Sequence, residues 1–297
     1  LDGCALPFTE LESRILPARV TDYAPRLLDE LGARGEIVWM GAGAAGGGAV
    51  RICGRRRAGA LVTAGSSDTI EAAGPVHAAI VACLRRAGAQ FLVAIEDAVT
   101  AAVITDRGAI RAALWDLVWA GVLTNDTFAP LRGTRGATPA RPTRARVRAT
   151  PIATAGGRWS LVEALAFTAP SPTERAHAHA TALLDRWGVV ARDLTEVEGT
   201  PGGFAGLVAV LDGLEEVGQV RRGDFVVVLT GRQYAWPGAL DRLRAARDEV
   251  GGIVALSAID PASPWGALAP WPATTGETQN TGRPSRLTTI APARRAA

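Results

Sequence analysis

One skeleton occurs three times along this chain: a leucine, a second leucine three residues on, a glycine four after that, and a β-favouring aliphatic two further. The copies are Leu28, Leu31, Gly35, Ile37; Leu114, Leu117, Gly121, Leu123; and Leu211, Leu214, Gly218, Val220. Leucines so spaced share one face of a helix, the glycine supplies a left-handed residue that ends it, and the aliphatic starts a strand at once. In a winged helix, such a junction is where the third helix passes into the wing. Three junctions along 297 residues imply a tandem array. The expected fold class is α+β: mostly helical, with helix-turn-helix plus β-wing domains in series.

All 32 basic residues are arginine. Without lysine the chain cannot grip a γ-phosphate in a Walker A loop, and Schiff-base lysine chemistry is excluded. The net charge of +3 is unevenly spread. Arg132, Arg135, Arg141, Arg144, Arg146 and Arg148 stand in a stretch without an acid, and residues 273–297 carry four arginines against Glu277, which leaves the remainder net acidic. Cys4, Cys53 and Cys83 are isolated and odd in number, as expected for reduced structural thiols of a cytoplasmic protein. His177 and His179 point to different helix faces, and His77 stands alone, so neither a metal nor any other cofactor is expected. No stretch reaches the roughly 18 uninterrupted apolar residues of a membrane span, so no membrane association is expected.

Residues 1–72 read as a winged-helix remnant with a wing hairpin. Its Gly41-Ala42-Gly43-Ala44-Ala45-Gly46 fits a dinucleotide fingerprint but leads into a strand and an arginine cluster rather than a helix, so it reads as a hairpin tip. Residues 73–131 form a second winged helix, with Asp106 as N-cap of its third helix and Trp115 and Trp119 one turn apart as packing residues. Residues 132–156, rich in Arg and Pro, read as a linker. Residues 157–240 form a third winged helix, in which residues 189–198 make a second helix and strands 219–222 and 225–229 flank a Gly223-Asp224 turn. The start of a β-rich module follows over 241–272, and 273–297 reads as a disordered tail. The last third helix carries Asp212, Glu215 and Glu216 and no arginine. Nucleic-acid contact is therefore assigned to phosphates, through the six arginines from Arg132 to Arg148 and through Arg221, Arg222 and Arg232 of the wing.

Five stretches in order carry a family resemblance: Leu16-Pro17-Ala18-Arg19-Val20-Thr21-Asp22-Tyr23; Ala113-Leu114-Trp115-Asp116-Leu117-Val118-Trp119-Ala120-Gly121 with Thr124-Asn125-Asp126-Thr127; Gly157-Arg158-Trp159-Ser160; Pro201-Gly202-Gly203-Phe204; and Asp260-Pro261-Ala262-Ser263-Pro264-Trp265-Gly266. Over most of residues 5–272 the chain resembles the C-terminal region of the bacterial large helicase-related (Lhr) family. The resemblance implies a superfamily 2 DNA repair helicase whose motor lies N-terminal to this segment, followed by tandem winged helices similar to a class of DNA glycosylases. DNA, single-stranded or duplex, a homo-oligomeric partner copy and a helicase core in a longer parent chain are the partners it implies. It transfers no catalytic residue, because the family's glycosylase acid falls beyond the matched part. Two functions follow: a non-catalytic nucleic-acid-binding and assembly module, or a uracil-type DNA glycosylase. Asp126, Asp224 and Asp260 are the acids available to the second, and all three stand where aspartate favours turns and caps.

Overall fold

A computed structural model describes residues 1–43, 48–62, 65, 73–133, 156–165, 170–245, 254–265, 268–269 and 287–290. Two compact units divide the chain, Asp2–Pro170 and Ser171–Ala297.

The first unit holds two winged helices. In the first, strand β1 (Ala5–Pro7) leads into a helical segment that runs through Phe8–Glu10 into a π-helix at Leu11–Ile15. Helix α1 (Pro25–Ala33), strands β2 (Ile37–Gly41) and β3 (Ala49–Gly54), and helix α2 (Arg55–Leu61) follow. The sheet order is β1-β3-β2, antiparallel throughout. In the second, α3 (Pro75–Ala87), α4 (Leu92–Ala102) and α5 (Arg107–Trp119) precede strand β4 (Leu123–Asn125), and after helix α6 (Ala129–Gly133) the chain returns as β5 (Trp159–Leu161), antiparallel to β4. Gln90 bridges to Trp159 on the other edge of β5, so the sheet again runs first, third, second strand. Asp106 caps α5 by accepting from the Ala109 amide at 3.0 Å, as its type and position predict.

That pairing places residues 159–161 with the second winged helix rather than with the third. The segment read as a linker, 132–156, falls between the two paired strands, and its residues 134–155 lie outside the described residues. Three-residue strands this far apart in sequence carry too little pattern to announce their pairing.

Two of the first unit's sheets meet closely. A Cβ at Gly41 would collide with the Val118 carbonyl and the Trp119 backbone. This first glycine of the fingerprint-like run therefore serves backbone packing, and strand β3 follows where a nucleotide fold would have a helix. Trp39 Nε1 donates to the Thr127 carbonyl at 3.0 Å, the Thr124 hydroxyl donates to the Trp39 carbonyl, and Phe8 stacks on Phe128 with ring centroids 6.0 Å apart. Trp115 stacks on Trp119 at 5.4 Å and meets Trp159 edge-on at 5.9 Å, so both α5 tryptophans pack.

The second unit opens with a capping box, in which the Ser171 hydroxyl accepts from the Glu174 amide while Glu174 accepts from the Ser171 amide. Helix α7 (Pro172–Trp187), strand β6 (Val189–Val190), helices α8 (Arg192–Val197) and α9 (Ala205–Glu216), and strands β7 (Arg221–Gly223) and β8 (Gln233–Ala235) complete a winged helix with sheet order β6-β8-β7. Its core gathers Ala180, Leu183 and Leu184 of α7 against Leu207, Leu211 and Leu214 of α9, with Val190 and Tyr234 from the sheet.

Four expectations change here. Residues 189–198 divide into a strand and a helix, since the β-branched pair at 189–190 completes the sheet. The wing's second strand is β8, not residues 225–229, whose β-branched run lies in the loop. The segment read as a tail contributes β10 (Leu287–Ile290), antiparallel to β9 (Val254–Ser257), and its two threonines and isoleucine are β-favouring residue types. Before β9, helix α10 (Pro237–Ala245) occupies the start of the segment read as β-rich.

All three leucine–glycine junctions form, and they form identically. At each, the glycine amide bonds back three residues and the next amide bonds back five: Gly35 to Gly32 and Glu36 to Leu31, Gly121 to Val118 and Val122 to Leu117, Gly218 to Glu215 and Gln219 to Leu214. This is the Schellman arrangement, and the three glycines take φ of 67°, 73° and 73°.

Candidate nucleic-acid interface

In a winged helix the third helix and the wing are the elements placed for nucleic acid. Two of the three recognition helices here have little with which to read bases. On α5, Arg111 Nε donates to the buried Glu96 at 2.6 Å, and Arg107 bonds Asp97 at 3.1 Å while lying 3.6 Å from Glu96, so both cations clamp α5 to α4. On α9, Gly206, Ala209 and Gly213 line the outward groove toward α7 and offer no atom able to reach a base edge.

Two of the three α9 acids, Asp212 and Glu215, are partnered by the wing. Arg222 Nε lies 3.5 Å from Glu215, Arg232 lies 3.4 Å from Asp212, and Asp212 also accepts from the Tyr234 hydroxyl. Hydrogen bonding to Tyr234 and the nearby carboxylates hold Arg232 above its ordinary range. Burial and the hydrogen bond to Asp212 push the Tyr234 hydroxyl up. Of the three wing arginines picked from sequence, Arg221 is exposed and makes no ion pair among the described residues.

Arg132 has a different place from the one its neighbours implied. Its Nε donates to Glu12 at 2.7 Å, one Nη to Asp29 at 2.6 Å and the other to the Pro25 carbonyl at 3.0 Å. Burial works against its charge, but the hydrogen bonds to Asp29 and Glu12 outweigh that and raise its pKa. Glu12 is itself buried, and Asp29 also accepts from the Phe128 amide. The guanidinium therefore ties the first winged helix to the root of the second one's wing, and it is withdrawn from the set of phosphate-contacting candidates. Nothing local announces these contacts, because the partners lie more than 100 residues away in the chain. Arg135, Arg141, Arg144, Arg146 and Arg148 lie outside the described residues.

The wing's two ends are held together. Asp126 accepts from the Arg158 amide at 2.7 Å and from its Nε at 3.1 Å, and Asn125 Oδ1 accepts from the Thr127 amide at 2.9 Å. Gly157, at φ 89°, faces these side chains so closely that a Cβ would strike Asn125 Oδ1. Asp260 likewise accepts from the Ala262 amide at 2.8 Å within its turn. Among the described residues, no group of histidines, cysteines and acids could hold a metal, and no helix is long and apolar enough to cross a membrane. His77 Nε2 lies 3.3 Å from Asp116 on α5, a helix-to-helix contact.

Two family models, each described as a winged-helix domain of the large helicase-related protein, match residues 1–55 and 169–253. They coincide with the first and third winged helices described above. Both segments are winged-helix domains of the Lhr kind. It is 38% identical over 307 residues to a Mycolicibacterium smegmatis protein named Lhr helicase/probable uracil glycosylase, covering 95% of this chain and 20% of that one. It is also 38% identical over 300 residues to an Escherichia coli K12 protein named Lhr helicase/uracil glycosylase, covering 92% and 19%. The chain thus spans about one fifth of these Lhr proteins, which are helicases by name and much longer.

Proposed function

We propose that this chain is a nucleic-acid-binding and assembly module of an Lhr-type DNA repair helicase, gripping the sugar–phosphate backbone with its wings rather than reading bases with its third helices. The observation that carries this reading is the pairing of β4 with β5, between which the sequence bears Arg135, Arg141, Arg144, Arg146 and Arg148 and, from Arg132 to Arg158, no acid; we read that intervening segment as a wing. Arg221 at the third unit's wing adds a sixth cation. With both α5 arginines engaged by acids of α4 and no arginine on α9, contact falls to phosphates through the wings rather than to base edges through these helices. A helicase core in the parent chain and a second copy of this chain are the protein partners of this reading.

Two of the three acids considered for base excision are otherwise engaged. Asp126 and Asp260 spend carboxylate oxygens on backbone amides, as turn and cap residues do.

Anisotropy titrations of a labelled duplex across a salt series test the proposal. Replacing Arg135, Arg141, Arg144, Arg146 and Arg148 by Gln lowers the slope of log affinity against log salt by up to about 4.5, at roughly 0.9 per phosphate contact. Replacing Arg221 lowers it by about 1. An unchanged slope in both variants, with binding abolished by altering the Gly206, Ala209 and Gly213 face of α9, refutes it.

A further inference from the structure

We infer that the tip of the third unit's wing, Val227 and Val228, is an apolar contact for an unpaired base at the end or junction of a nucleic-acid strand. This rests on the backbone-binding reading above and adds what the wing meets beyond phosphate.

The wing tip breaks a local rule. The Leu229 amide donates to the Val226 carbonyl at 3.1 Å, closing a turn whose two central residues are Val227 and Val228. Glycine, proline, asparagine, aspartate and serine favour such positions; stiff β-branched side chains do not. Val227 is fully exposed and Val228 is 57% exposed. Their neighbours go the other way: Phe225, Val226 and Leu229 pack on the cluster of Val189, Ala191, Leu194, Ala235 and Leu240.

The tip is also held rigidly. Gln233 Oε1 accepts from the Phe225 amide at 3.0 Å and the Val226 amide at 2.9 Å, while its Nε2 donates to the Val226 carbonyl at 2.9 Å and the Leu229 carbonyl at 3.2 Å. On the far side, Asp193 accepts from the Thr230 amide at 2.8 Å. One amide side chain, one carboxylate and three apolar anchors fix a turn that presents two valines to water. A locally disfavoured sequence kept in an over-determined loop marks a contact surface.

Charge selects the occupant. Arg221 at the root of the wing and Arg192 beside Asp193 are exposed cations suited to phosphates, and residues 225–230, which include the tip, carry no cation. A strand held this way meets the valines with its bases. The faces of stacked pairs are hidden inside a duplex and a blunt end leaves every base paired, so the base engaged is unpaired, and its exposed face is a surface on which apolar side chains can pack.

The test uses the full chain, a blunt duplex, and the same duplex with a single-stranded tail carrying 2-aminopurine at the junction. Val227→Ser with Val228→Asn suits the turn and keeps the fold. It weakens binding to the tailed duplex by about tenfold to thirtyfold, leaves blunt-duplex affinity and salt slope unchanged, and removes the rise in 2-aminopurine fluorescence. Val227→Leu with Val228→Leu retains all three. If the wild type binds both substrates and the Ser/Asn variant binds the tailed one equally well, the inference falls while the backbone reading stands. If that variant instead changes only the sedimentation state, the valines contact protein and the inference is overturned. A wild type that binds neither substrate overturns both readings.

Discussion

Arg132 Nε lies 2.7 Å from Glu12, and the two residues belong to different winged helices. Glu12 keeps 2% of its side chain exposed and Arg132 23%, so removing the cation strands a buried carboxylate. Arg132→Ala should cost the first unit about 3 kcal/mol. Arg132→Lys should recover only part of this, because one ammonium cannot serve Glu12, Asp29 and the Pro25 carbonyl together. Faster hydrogen–deuterium exchange in peptides from residues 1–43 and 73–133, with residues 171–217 unaffected, is the expected readout.

The three junction glycines should differ when mutated. Gly218→Ala adds a methyl that meets nothing within 4 Å, so its cost is conformational strain alone, about 1–2 kcal/mol. Gly121→Ala adds a contact 3.3 Å from the Gly41 carbonyl and should cost more. Urea denaturation of each variant checks the order; equal costs would contradict it.

The third wing should loosen in acid. Hydrogen bonding from the Thr230 amide, which outweighs burial, holds the Asp193 carboxyl below the usual aspartate range. A lowered folded pKa means that the bond's stabilisation is present above the unfolded aspartate value, about 3.9, and is lost as pH falls through the lower folded one. The Thr230 amide shift in NMR should titrate below about 3.9. Asp193→Asn should abolish that titration.

Cys53 should resist alkylation. Burial, assisted by the Asp2 charge, pushes its thiol up to about 12, and the side chain is inaccessible. Iodoacetamide at pH 8 should label it only after denaturation. Labelling of the native chain at Cys53 would show that β3 opens readily.

The elements readable from sequence were those whose cause is local. A Schellman glycine and an Asp106 N-cap each complete their bonds within a few residues, so the three junctions and that helix start followed from residue type and spacing, whereas the equally local capping box at Ser171 went unread. The wing assignments needed distant partners. Residues 225–229 have the side chains of a strand, and only the Gln233 amide and the core under Phe225 make them a loop. Arg132 has the setting of a linker arginine until Glu12 and Asp29 are seen beside it. The phosphate-binding candidates were legible as charge, while the neutralisation of Arg222 and Arg232 by α9 was not.

The clamp between Asp126 and Arg158 has a consequence for how this region can vary. Because the hairpin is closed at its base by side-chain and ladder bonds, the length of chain beyond it matters little to stability; each doubling costs only about 0.6 kcal/mol in closure entropy. The β4–β5 hairpin is thus a socket into which a lineage can splice, shorten or exchange sequence without disturbing the sheet beneath. An experimenter could graft a fluorescent or affinity peptide there on the same grounds.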